Sequence, residues 1–378
     1  QKEIIQNTRV ILSDLLGKIL SNGDSPYHHK EIDYNIFLLI QLEILSQVLH
    51  CERKMWDLRR KYKKSSLVEP LKQRHSMLKL LGSTIAWILL EFDTPYIRNL
   101  SRGHNQGYLV GKKGIIGEFY SLLKFHEPKK NVTVVLHGIT HCLRVGDVTI
   151  TNGQYRAPVE IKLVTSNTHR PDRRERRQLK KLQMLKEFFE KKESNRLIPG
   201  LKAIRFQSHK RDIHNWKSLS NVARLALSKG HMVVFPERGI AYGVCQKISQ
   251  IEDLVLEIKK RWKEPFGVAG TLDRQILGLP EVMPFTLFEI PRHIKESILF
   301  GDLIVAMFVD LKAVCETFED FDLKAWLDDG KLKVRKDGET IEIGDPPLDR
   351  LVYECLSPIT LCRYIRDIPV EKLVKNKI

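Results

Sequence analysis

"GDVTITNGQYRAPVEIKL" (residues 146–163) is the stretch on which both the fold and the chemistry turn. Asn152-Gly153 is a strong hairpin signal, because both central positions of a type I′ turn need positive φ and these residues tolerate it. With that dipeptide at the turn, Thr151 faces Gln154 and Asp147 faces Pro158. Side chains alternate between the faces of a strand. Asp147, Glu160 and Lys162 therefore project to one side, and Val148, Ile150, Val159, Ile161 and Leu163 to the other. Asp147 and Glu160 become diagonal neighbours, roughly 7–8 Å apart along the backbone and nearer at their tips. Two carboxylates that close repel unless a cation lies between them; Mg²⁺ (or Mn²⁺) suits an all-oxygen donor set that leaves room for water. Lys162, on the same face, can orient or help deprotonate a water beside a phosphate and balance charge in the transition state. The plain alternative is a surface Glu–Lys pair, which contributes little.

Working outward, the texture predicts a helix over 114–125, strands over 132–136, 142–150 and 157–164, and a long basic helix from about 171 to 192. A strand over 202–206, a helix over 216–229 and a strand over 231–235 follow. That order predicts an α/β layout, a mixed sheet flanked by helices. Within the first helix, Ile115, Phe119 and Leu122 form an apolar stripe, and Glu118 lies close to it, where a carboxylate is costly without a partner. The basic helix combines Leu182, Leu185 and Phe189 with Arg173, Arg174, Arg176, Arg177, Lys180 and Lys181. Those cations form a candidate strip for contacting phosphates without reading sequence.

Gly146-Asp147, then Glu160-x-Lys162, and the flanking helices resemble the PD-(D/E)XK nuclease superfamily, the restriction-endonuclease-like fold. The resemblance covers roughly residues 107–235. It implies a core of a helix, three strands, a helix and a strand, and Mg²⁺-dependent cleavage of phosphodiesters. Asp147 would be the metal-binding aspartate, Glu160 the second acidic ligand and Lys162 the catalytic lysine. Gly146 stands where the motif has its proline. Gly114-x-x-Gly117-Glu118 is similar to the first helix of the nuclease-related domain branch, by which Glu118 would assist the metal. Gln178, or else Gln183, matches a glutamine that some branches bring to the site. Stand-alone nucleases of this superfamily also resemble components of bacterial defence against phage. A basic nuclease free in a cytoplasm would harm its host, so control by the flanking regions, a regulatory protein partner or homo-oligomerisation is expected.

The rest of the chain sets bounds. Its 378 residues suit two or three domains at roughly 150 each. The expected division is a helical region over 1–100, the nuclease-like domain over 101–245 and an α+β region over 246–378. A formal charge of +17 points to a polyanionic partner, DNA before RNA, since no aromatic RNA-binding strand is recognisable. In "ERKMWDLRRKYKK" (52–64) Trp56 and Tyr62 are interleaved with cations, which fits a nucleic-acid groove or a solvated helix face. The six cysteines form no C-x-x-C pair, and no run of ~18 apolar residues is present. A reducing cytoplasm and no membrane are expected, with "LLGSTIAWILLEF" (80–92) a buried core helix. "GKKG" (111–114) lacks the phosphate-loop pattern, which argues against ATP hydrolysis. His137 and His141 have ligand-like spacing, but only a helix would bring their rings together. Later, "GDLIVAMFVDL" (301–311) reads as a buried strand and Asp337-Gly338 as a hairpin turn. The acidic stretch 316–329 could mask the basic face.

Overall fold

The computed structural model describes residues 2–21, 33–62, 65–101, 107–112, 114–152, 155–161, 173–191, 193–198, 201–204, 212–262, 268–276 and 278–367. The chain forms two units, Gln1–Arg205 with Ile276–Leu287, and Phe206–Gln275 with Phe288–Ile378. The first boundary therefore falls inside the region expected to be one domain over 101–245, and the N-terminal helices share a unit with the hairpin.

The first unit starts with helices α1 (Lys2–Ser21), α2 (Tyr34–Lys61), α3 (Val68–Leu89), α4 (Thr94–Ser101) and α5 (Ile115–Phe125). Strands β1 (Thr133–Leu136), β2 (Val148–Thr151) and β3 (Arg156–Val159) follow, then α6 (Arg173–Lys191) and the pair β4 (Glu193–Ile198) and β5 (Leu201–Ile204). Asp33 caps α2 through hydrogen bonds from the Asn35 and Ile36 amides, which satisfy donors that a helix start leaves orphaned. Asp24-Ser25-Pro26, a turn signal in the sequence between the first two helical stretches, lies outside the described residues. α2 is long and apolar enough, by length and composition, to cross a membrane. Here it packs against α3 and β1 with a face that includes Phe37, Ile40, Ile44 and Val48 buried. In α3 every residue from Leu78 to Leu89 is buried, as expected of a core helix. Cys51 and the five other cysteines are buried free thiols.

Strands β1, β2 and β3 form a three-stranded antiparallel sheet in that order. The outer edge of β1 is closed by a side chain of α2. Gln41 donates to the Val134 carbonyl (2.9 Å) and accepts from the Leu136 amide (3.0 Å), replacing a missing strand. At the other edge Arg156 bridges Asp93 (2.6 Å) and Glu91 (3.0 Å) in the turn that joins α3 to α4.

The observed architecture is mixed α and β, and it differs from the expected core in several respects. Every strand pair among the described residues is antiparallel, so no mixed sheet forms. The 231–235 run belongs to the second unit, and the 201–204 strand pairs with β4 instead of joining β1–β3. The expected strand over 142–150 is also short. Gly146 takes positive φ (84°) and breaks the extended run just before Asp147.

The second unit holds α7 (Trp216–Lys229), β6 (His231–Glu237), β7 (Ile240–Cys245), α8 (Ile251–Arg261), β8 (Val268–Thr271) and, at its boundary, α9 (Asp273–Ile276). It continues with α10 (Arg292–Leu299), β9 (Ile304–Val309), α11 (Leu311–Glu319), β10 (Lys324–Asp328), β11 (Lys331–Lys336), β12 (Glu339–Ile343), α12 (Asp345–Tyr353) and α13 (Pro358–Asp367). A four-stranded sheet runs β6-β7-β9-β8 and a three-stranded one β10-β11-β12. β9 is the buried strand expected over 301–311. Asp337 and Gly338 both have positive φ and connect Lys336 to its partner Glu339, the two-residue turn the sequence predicts. In the acidic stretch, Glu316 and Asp320 lie 4.0 and 3.9 Å from Arg238, and Asp328 pairs with Lys333.

Candidate functional site

The hairpin forms, in a register two residues away from the expected one. Thr151 pairs with Arg156, Ile150 with Ala157 and Val148 with Val159. Asn152 is the last paired residue and not part of the turn centre. Its amide donates to the Tyr155 carbonyl (3.1 Å) and its side chain accepts from the Tyr155 amide (2.6 Å). An asparagine side chain that bonds the backbone of its own turn stabilises it from the flanking position; residues 153–154 lie outside the described residues. A shift of two leaves Val148, Ile150 and Val159 together on one face, as assigned. The paired ladder ends at Val148 and Val159; the Asp147 amide bonds the Val159 carbonyl, which breaks the register there, so the ladder does not set Asp147 and Glu160 as the diagonal neighbours expected. The face that carries Thr149 and Thr151 is not open, since both are fully buried.

Asp147 is held from three directions. Its amide donates to the Val159 carbonyl (2.9 Å), and its Oδ2 accepts from the Ile161 amide (2.9 Å). Its Oδ1 accepts from Lys112 Nζ (2.8 Å). The same ammonium donates to Glu118 Oε1 (2.5 Å). Glu118 comes from the first turn of α5 and is 1% exposed; Asp147 is 9% exposed. Glu118 is thus on the buried face of α5 with Gly117, Ser121 and Leu122, whereas Phe119 of the expected stripe is 42% exposed and Ile115 is half-buried. The helix is turned so that its carboxylate, and not its aromatic ring, meets the sheet. Burial pushes the Glu118 carboxyl above its usual range, and Lys112 pulls it part of the way back. Burial works to lower the Lys112 ammonium, but the two carboxylates outweigh it and hold the group above its ordinary value.

Lys112 arrives on a short bend that α2 holds in place. Glu52 of α2, 3% exposed, accepts from the Leu109 amide (2.6 Å) and the Val110 amide (2.8 Å) through one oxygen, and its other oxygen bonds His75 Nε2 (2.9 Å). The Lys112 amide then closes the bend on the Leu109 carbonyl (3.0 Å). Sequence reasoning missed both residues. Glu52 was read only as part of a basic stretch, and Lys112 sits on a loop with no periodicity to mark it. The one available signal was a pair of lysines between glycines, immediately before a helix with a carboxylate in its first turn.

The other expected residues are placed as follows. Glu160 is half-buried with Oε2 shut off from solvent. Lys162 lies outside the described residues. Gln178, Arg173, Arg174 and Arg177 belong to α6, but their side chains lie outside the described set; Arg176, Lys180 and Gln183 are exposed and Lys181 is half-buried. His137 and His141 do not converge. His137 donates from Nδ1 to the Gly146 carbonyl (3.1 Å) and accepts at Nε2 from the Thr149 hydroxyl (2.7 Å), while His141 Nε2 bonds the Ser76 carbonyl (3.0 Å). The His137 ring therefore fixes the kink that precedes Asp147.

Among the described residues no three of His, Cys, Asp and Glu converge as a metal-binding group, so Asp147, Glu118 and Glu160 do not form a three-carboxylate cage. Asp147 and Glu118 do converge: each places an oxygen within 2.8 Å of one cationic atom. A two-carboxylate donor set fits Mg²⁺, which binds through one or two carboxylates and keeps several waters. Comparison with protein-family models, with curated proteins and with solved structures returns no match. The likeness to the nuclease superfamily accordingly rests on the chain's own residues.

Proposed function

We propose that this protein is an Mg²⁺-dependent nuclease acting on DNA. The observation that carries this reading is the convergence of Asp147 and Glu118 on one cation position at the mouth of the β2–β3 hairpin. The residues that would hold the ion are Asp147 and Glu118; Glu160, the second acidic ligand by the resemblance, does not join them as a third. When bound, Mg²⁺ supplies electrophilic stabilisation of charge on a phosphoryl group. Asp147 is positioned for that task by the Ile161 amide, which fixes one of its oxygens and leaves the other directed at the cation. Buried surroundings keep Glu118 from wandering to solvent. Lys162 is assigned the water-orienting role by its motif position. Arg176 and Lys180, exposed on α6, would contact the phosphate backbone, and the overall charge of +17 favours any polyanion. A cytoplasmic setting and a part in defence against phage belong to the same reading.

The test is cleavage of labelled duplex DNA and, in parallel, of single-stranded RNA, with Mg²⁺ or Mn²⁺. Asp147→Asn is expected to lower cleavage by ~10²-fold or more while the far-ultraviolet spectrum stays unchanged. Wild-type rates in that variant would remove Asp147 from the site, and preferential RNA cleavage would replace the substrate. The filled cation position favours one second reading, a nucleic-acid-binding protein that does not cleave. That reading predicts salt-sensitive DNA binding with no product under any divalent ion.

A further inference from the structure

Lys112 is an unusual neighbour for a pair of residues assigned to a metal. Its ammonium sits between Glu118 Oε1 and Asp147 Oδ1, at 2.5 and 2.8 Å, where a cation serving both carboxylates must lie. The side chain enters from the solvent side and remains 37% exposed, whereas Glu118 and Asp147 side chains are 2% and 12% exposed. Its backbone is not free to follow the side chain, because Glu52 fixes the Leu109 and Val110 amides and the Lys112 amide is tied to Leu109. A tethered monovalent cation is therefore held at the entrance to a buried dianionic pair.

We propose that Lys112 is an internal counter-ion that competes with the divalent ion for the Glu118–Asp147 pair, so that the chain carries its own brake on metal loading. The inference rests on the reading of that pair as the metal site. The ammonium satisfies both carboxylates without a metal, which preserves the acidic pair in a low-metal environment. A divalent ion can enter only when the side chain swings outward on its solvent-exposed stem. The apparent affinity for metal is then reduced by the fraction of molecules in which Lys112 occupies the pair.

The decisive measurement is calorimetric titration of the full chain with Mn²⁺, comparing the wild type with Lys112→Met, which keeps the apolar stem and removes the charge, and with Lys112→Gln. Either variant that folds suffices. Both are expected to bind Mn²⁺ on the order of tenfold more tightly than the wild type. Their melting temperatures should be lower than the wild type's without metal and should rise further on adding Mn²⁺. Asp147→Asn should lose the Mn²⁺ signal. If the wild type binds Mn²⁺ through Asp147 but the Lys112 variants bind it no more tightly, the competition is overturned while the nuclease reading survives. If neither wild type nor variants bind Mn²⁺, both fall together.

Discussion

Glu52 is the residue on which the candidate site leans most heavily without belonging to it. It is buried, its charge is spread over two backbone amides and an imidazole, and the bend it holds delivers Lys112 to Asp147 and Glu118. Removing the carboxylate would leave the Leu109 and Val110 amides without their acceptor; a buried donor left unmade costs ~1–3 kcal/mol, and bonds to a charged acceptor are at the strong end. Glu52→Ala is therefore expected to lower stability by about 2–4 kcal/mol in urea denaturation. Amide exchange should speed up locally over 109–112. A loss below ~0.5 kcal/mol, the level of an ordinary surface substitution, would mean the bend is held by something else. The exposed pair Lys18–Glu43, at 3.1 Å, offers a control, since removing either partner should cost almost nothing.

At the level of elements, local signals were legible wherever the backbone alone decided the outcome. Asp337-Gly338 makes its turn because both residues accept positive φ and nothing nearby competes. The same logic misplaced the turn after β2, because the Asn152 side chain bonds the Tyr155 amide and so favours the position before the turn centre. The helices over 115–125, 173–191 and 216–229 were readable from periodicity. The sheet partners of 201–204 and 231–237 were not, since strand pairing depends on which unit the chain has entered. Asp147 could be found from its motif and from parity. Its partner Lys112 could not, because a loop residue has no period and only the fold brings it there. The contact between α3 and the segment after β1 was likewise hidden. Gly82 lies in the buried half of α3, and a Cβ built on it would come within 2.0 Å of the Ile139 carbonyl oxygen. Replacing glycine by alanine inside a helix normally gains roughly 0.5–1 kcal/mol. Here the sign reverses: Gly82→Ala is expected to destabilise by about 1–3 kcal/mol or more, because backbone and not a flexible side chain must move. A thermal shift upward in Gly82→Ala would show that the helix does not press on this carbonyl.

For the molecule as a whole, acid is the condition in which its architecture is most exposed. His137 is wholly buried, and that burial lowers its pKa to about 4; burial likewise brings His141 to about 3 in the same unit and His214 to about 4 in the other. An imidazole whose folded pKa lies below its unfolded value near 6.5 binds its proton better in the unfolded chain. Its contribution is therefore complete above about pH 6.5 and drains away as pH falls towards the folded value near 4. His137 also needs the neutral ring for geometry, because Nε2 must accept from Thr149 while Nδ1 donates to Gly146. From this residue alone a loss of roughly 1–2 kcal/mol is expected between pH 7 and pH 5. A chain already carrying +17 becomes more positive in the same interval, so general self-repulsion would act in the same direction. Salt separates the two causes. About 0.5 M NaCl should screen repulsion between exposed charges but not the burial of an imidazole. Urea denaturation of wild type and His137→Gln at both pH values, with and without salt, is the measurement. The histidine account expects a salt-resistant pH dependence that becomes shallower in His137→Gln. A dependence abolished by salt and unchanged in the variant would assign acid sensitivity to net charge and leave His137 without a part in it.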